Sequence, residues 1–234
     1  MRQALMILLA ALMLTIESKA ATGDDATLER VRRIVEEVKA ASYPELASLK
    51  DAEIQIKLFG SPSDYFQTRF TFTSFLFKKR LRYLLKVNRN LFANNVPDDG
   101  LRAIIAHELG HVVYYRAHHR IELLGLVRLA CSGFAARFER STDMEAIARG
   151  YGDGLKSYRW WLYNHIPANK LAEKKRNYFS PEEIDALQSK LRTQPELMKQ
   201  WRKAPPHSLE EIERTANPPP QLQTPNPAFI FNWQ

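Results

Sequence analysis

Leu101–His118 reads LRAIIAHELGHVVYYRAH, and the reading of the fold starts there. Ile104, Ile105, Val112 and Val113 surround a polar trio, His107, Glu108 and His111. Just ahead, Asp98 or Asp99 offers an N-cap carboxylate, so the stretch is expected to form one long helix. Residues four apart share a helix face, so His107 and His111 can aim both imidazoles at one point. Zinc suits that point, because it takes nitrogen and carboxylate ligands in tetrahedral geometry. Glu108, one position beyond the first imidazole, can touch an ion-activated water without taking a coordination site, and can then pass its proton to a leaving group. The competing reading is a pair of structurally satisfied histidines on a core helix. The pattern arises by chance in roughly one chain in a hundred, and its mid-helix apolar setting favours the metal.

A catalytic zinc site needs a third protein ligand. His118 lies two turns past His111, about 10 Å along the axis, and His119, His165 and His207 have no motif around them. The acidic residues of Phe138-Glu139-Arg140-Ser141-Thr142-Asp143-Met144-Glu145-Ala146 are better placed. Glu139 and Asp143 are four apart, so on a helix Glu139 can ligate while Asp143 orients a ligand histidine through its free ring nitrogen. Glu139 is the preferred third ligand and Glu145 the alternative. Without a metal, Glu139, Arg140 and Asp143 would read as a solvated ladder of surface charges.

Outward from these segments, the chain reads as one α+β domain, mostly helical, with a small antiparallel sheet before the motif helix. Residues 24–41 carry Val31, Ile34, Val35 and Val38 at helical spacing, ended by Pro44. Glu53–Leu58 alternates as a half-buried strand does, Phe70–Phe77 is aromatic and β-branched, and Arg82–Val87 supplies a third strand. Helices are expected over 121–138, 141–151 and 155–163. Ser180-Pro181-Glu182-Glu183 is a capping box with proline at the first helical position, and Ser208-Leu209-Glu210-Glu211 repeats the box.

At 234 residues the chain fits one domain plus a tail. The divisions expected are a signal peptide over 1–20, the domain over 21–216, and a proline-rich tail over 217–234 ending in Phe229, Phe231 and Trp233. Arg2 precedes the apolar run Ala4–Ile16, too short for an ordinary membrane span, and Ser18 and Ala20 have the spacing a signal peptidase reads, so cleavage is expected after Ala20. That makes the protein periplasmic or secreted. The single cysteine, Cys131, excludes an intramolecular disulfide. Residues 1–20 hold two cations and one anion, so cleavage lowers the net charge from +8 to +7. Such a balance favours peripheral contact with an anionic membrane or cell-wall surface. Nucleic acid is not expected as a partner, since the basic residues are scattered and the densest run, Lys78–Arg82, reads as a solvated strand end.

HELGH followed by ERSTD resembles the HExxH…ExxxD pattern of the gluzincin metallopeptidases, the group of thermolysin and the membrane-linked CAAX-protease-like enzymes. The resemblance covers about a fifth of the chain, from Leu101 to Gly150. It implies a zincin-like fold, His107, His111 and Glu139 as ligands of Zn2+, Glu108 as general base and Asp143 as the residue behind a ligand histidine. It further implies hydrolysis of a peptide or protein substrate, bound as an added strand, for which Tyr83–Val87 is the expected edge. The chain departs from thermolysin in having no matching downstream histidine for the oxyanion. Tyr114, Tyr115, Tyr151, Tyr158, Arg159 and Tyr163 are candidates for that task. Two other readings stand beside it: a silent zinc-binding scaffold or assembly factor of the envelope, and a metal-dependent hydrolase of cell-wall material.

Overall fold

The computed structural model describes residues 23–49, 53–126 and 132–215. The expected signal peptide, the proline-rich tail and Cys131 lie outside the described residues. Helix α1 (23–42) buries Val31, Ile34, Val35 and Val38, the four positions its periodicity picks out. Pro44 then starts a single 3-10 turn, Pro44–Leu46, as its fixed φ and missing N–H dictate.

Strands β1 (Ile54–Phe59), β2 (Phe66–Phe70) and β3 (Tyr83–Asn88) form one sheet in the order β1-β3-β2. The sheet precedes the motif helix as expected, but it is mixed rather than antiparallel. β3 pairs parallel with β1, Ile56 opposite Leu85, and antiparallel with β2, Thr68 opposite Leu85. The chain itself supplies the crossover that a parallel pair needs, because β2 and a short helix α2 (Phe72–Phe77) intervene between β1 and β3. β3 is therefore the central strand, which fits its nearly unbroken burial. It cannot be the edge that receives a substrate; β1 and β2 are the edges.

The expected strand at Phe70–Phe77 is likewise corrected. Only its first residue belongs to a strand, Thr71 is the N-cap, and Phe72–Phe77 is α2. Ser74 Oγ donates to Thr71 O at 2.8 Å and accepts from Arg82 N at 2.9 Å, and such local hydroxyl bonds offer the backbone an alternative to a ladder.

Helix α3 (Asp98–Ala117) carries the motif and is buried over most of its length. Asp98 and Asp99 lie inside its first turn, with Pro97 at the N-cap position, so they act on the helix dipole rather than as caps. Four-residue α4 (Arg120–Leu123) follows. Helix α5 (Ser132–Ala148) runs unbroken through Ser141, where two separate helices were expected. Nothing between Phe138 and Thr142 breaks a helix, and Ser141 and Thr142 donate their hydroxyls to Phe138 O at 2.8 and 3.0 Å instead of capping. Helices α6 (Gly152–Tyr163), α7 (Ala168–Asn177), α8 (Pro181–Thr193), α9 (Leu197–Lys203) and α10 (Leu209–Thr215) complete the fold. The capping box of α8 is formed, Glu183 N donating to Ser180 Oγ at 3.2 Å and Ser180 N to Glu183 Oε2 at 2.7 Å.

Two glycines set the helix spacings that build the site. A Cβ on Gly154 of α6 would lie 2.4 Å from the Asp99 carbonyl oxygen of α3. A Cβ on Gly110 would lie 2.9 Å from Thr142 Cγ2 of α5. The second contact holds the His107–His111 turn of α3 against the Glu139–Asp143 turn of α5. Among the described residues, no helix is long and apolar enough to cross a membrane.

Candidate metal centre

His107 and His111 project from one face of α3, as their spacing requires. Glu139 reaches them from α5: its Oε2 lies 3.1 Å from His107 Nε2 and 3.3 Å from His111 Nε2. The three side chains offer ligand atoms all within 4.8 Å of one another. A tetrahedral ion with donor bonds of about 2.0 Å would hold its donors about 3.3 Å apart, so the separations fit zinc. The histidines are buried and Glu139 is partly buried.

Behind the ligands lies a buried layer that fixes their orientation. His107 Nδ1 donates to Asp143 Oδ1 at 2.8 Å, which turns Nε2 toward Glu139. Asp143 has no exposed surface. It also accepts from Arg159 Nη2 at 2.9 and 3.1 Å and from the Phe179 backbone N–H at 3.1 Å. Thr142 Oγ1, already donating to Phe138 O, lies 3.3 Å from His111 Nδ1 and can accept from it.

Charges follow from these contacts. Burial alone would lower the His107 pKa, but hydrogen bonds and charge from Asp143 and Glu139 outweigh it and hold it up at about 10. Burial would raise both carboxylates, yet the histidines hold Glu139 far below the usual range, and Arg159 with His107 lowers Asp143. The cluster thus keeps both acids ionised, the form that ligation and orientation require.

Glu108 is buried, and its Oε2 has no hydrogen-bond partner among the described residues. It opens with His107 onto a narrow cavity walled by Tyr65, Phe66, Tyr158, Arg159, Lys174 and Tyr178. A buried polar atom seldom goes unsatisfied in a protein interior without a functional reason.

Glu145, the alternative third ligand, faces away. Its carboxylate bonds Arg149 Nε at 2.8 Å and also Arg202. His118 stacks on Tyr114, and His165 on Trp161. Of the oxyanion candidates, Tyr115 donates to Thr68 O, Tyr151 pairs with Ser42 and Arg159 is committed to Asp143; Tyr158 does line the cavity. Tyr178 was missed by the sequence reading. It sits between α7 and α8, its ring 5.8 Å from that of His107 and beneath the Arg159 guanidinium. Burial lifts its phenol well above the ordinary value, so it keeps its proton. No spacing signal links it to the motif; only the packing of α8 on α6 and α5 brings it there.

Donor set and spacing are those of a group that could hold a metal ion, and they are consistent with an HExxH zinc site, the hallmark of a class of metallopeptidases. Residues 77–165 match the family model of Peptidase family M48, a family of zinc metallopeptidases. The match takes in β3, α3, α5 and α6, and so His107, Glu108, His111, Glu139, Asp143 and Arg159, but not Tyr65, Phe66, Lys174, Tyr178 or Phe179. No curated protein and no solved structure matches the chain.

Proposed function

We propose that the chain hydrolyses peptide bonds as a gluzincin-type zinc peptidase, with His107, His111 and Glu139 as the zinc ligands and Glu108 as the general base. Zinc, when bound, acidifies water and polarises the scissile carbonyl. The remaining work falls to the chain's own residues. The Glu108 carboxylate takes the water's proton and gives it to the leaving nitrogen. Asp143, anchored by Arg159 and the Phe179 N–H, keeps His107 in the tautomer that presents Nε2. Tyr178 and Tyr158, both held protonated by burial, are the donors available to the negative charge that develops on the substrate carbonyl oxygen. An extended substrate can add at the free edge of β2, whose Phe66 walls the cavity.

The observation that carries this reading is the partnerless, buried Oε2 of Glu108 beside three converging ligand atoms. It favours catalysis over the alternative of a silent scaffold, since holding zinc alone needs no unsatisfied carboxylate. Glu108→Gln tests it. The variant should bind one zinc and melt as the parent does, while peptide turnover falls by at least a hundredfold, in the range assigned to general base catalysis. Turnover surviving in the variant would remove Glu108 from the role. The apolar run before Ala20 supports export to the periplasm or the medium; an N-terminus at Ala21 on the purified protein is the expected finding.

A further inference from the structure

We propose that the α2–α4 end of the domain is a docking surface for an anionic phospholipid membrane. Large apolar side chains are unusually exposed there: Phe72 at 71%, Phe77 at 79% and Ile121 at 82%, with Leu76 and Leu124 beside them. They come from two elements that one residue ties together, since Arg120 of α4 donates to Phe75 O at 2.6 Å and also to Lys78 O. Five clustered apolar side chains are more than the scattered exposure of an ordinary surface.

Charge says what covers them. Lys78 and Lys79 follow α2 directly, and neither pairs with a carboxylate among the described residues. Next to the apolar group opens a concavity of about 330 Å³, walled by Lys79, Arg80, Arg116, His118, His119 and Arg120 and floored by Tyr83 and Tyr115. Two acids belong to this region, Glu53 in the wall of the concavity itself and Glu122 beside it, against the larger number of cations. Glu53 stands 4.0 Å from Arg80, and the Glu122 carboxylate accepts from His119 N. Exposed apolar side chains beside a concavity lined mainly by cations, where a phosphate could sit, match a lipid–water interface. A second protein copy would meet the same positive charge it carries. The surface lies close to the metal centre: Phe75 stacks on Phe70, Phe70 meets Tyr115 edge-on, and Tyr115 stacks on His111. Membrane-bound protein would therefore hold its zinc ligands within a few residues of the lipid headgroups.

The test uses the full chain with Cys131→Ser and an environment-sensitive fluorophore on Phe77→Cys, or on Glu210→Cys as a control remote in sequence. Vesicles are phosphatidylcholine, alone or with phosphatidylglycerol. A blue shift and a severalfold emission rise are expected at position 77 only, on the anionic vesicles only, and reversed by salt. Lys79→Ala with Arg80→Ala should weaken that response about 30-fold, roughly fivefold for each lost cation, with melting and peptide turnover unchanged. The proposal is overturned if position 77 stays unresponsive while the protein sediments with vesicles, because another segment then binds. It is overturned equally if neutral vesicles give the same response, or if position 77 responds to protein concentration without vesicles, which would make the occupant a second copy.

Discussion

Replacing Arg159 by Met probes the layer on which the metal centre rests. The guanidinium is 1% exposed, and Nη2 bonds both oxygens of an Asp143 that has no exposed surface. Removing one partner of a buried pair leaves a desolvated charge, at a cost of about 3–5 kcal/mol. Here His107 and the Phe179 N–H still face the carboxylate, so the lower end applies, about 3 kcal/mol. For a chain of this length that lowers the melting temperature by about 6–12 °C. The Asp143 carboxylate would then be free to turn, and zinc affinity should fall about 10–100-fold. Urea denaturation of chelator-treated protein reads the first effect, and competition against a zinc dye reads the second. Adding Asp143→Asn removes the stranded charge, so the double variant should be more stable than Arg159→Met alone. Stability within about 1 kcal/mol of the parent, with unchanged zinc affinity, would refute the idea of a charged anchor behind His107.

Other predictions follow from single contacts. Glu139→Ala should lose zinc, whereas Glu145→Ala should keep it and cost about 1 kcal/mol from its partly exposed pairs with Arg149 and Arg202; elemental analysis separates the two. Gly154→Ala places a Cβ 2.4 Å from a backbone oxygen that cannot yield, and a loss of about 1–3 kcal/mol is expected by thermal melting. Asp64 is pulled below its ordinary pKa; burial opposes the shift, but the hydrogen bond and charge of Lys174 outweigh it. Its contribution is therefore present above about pH 4 and lost as pH falls through the folded value. Asp64→Asn should cost up to about 1 kcal/mol at pH 7 and progressively less as pH falls below about 4, in melts taken across that range.

What could be read from the sequence was whatever local spacing controls. Helix α1, the capped α8 and the shared face of His107 and His111 each follow from residues within two turns of one another. The juxtaposition of Glu139 and Asp143 with that face was also legible, because both stand on a recognisable motif. Three things were not. β3 became the central strand through its pairing with β1, a contact between segments about thirty residues apart that alternation alone does not encode. Residues 72–77 chose a helix because the Ser74 hydroxyl satisfied the backbone at Thr71 O and Arg82 N, against an aromatic composition that favours strands. Tyr178, and the pairing of Arg159 with Asp143 in place of the oxyanion task expected of it, came from tertiary packing of α6 and the α7–α8 joint, which leaves no periodic mark.

Gly110 stands one residue before His111, inside the turn that carries the proposed ligands, and it is also a point of close approach between α3 and α5. On the proposed function, the spacing of the zinc donors and the density of the core would therefore depend on the same interatomic distance. A larger residue there would spread the donors while it loosened the interior, so neither property can be adjusted at this crossing without the other. For such a chain, free energy released on binding zinc is also free energy of folding. Prolonged chelation should consequently register first as a protein that is easier to unfold and to digest, and only secondarily as a protein that has lost a cofactor.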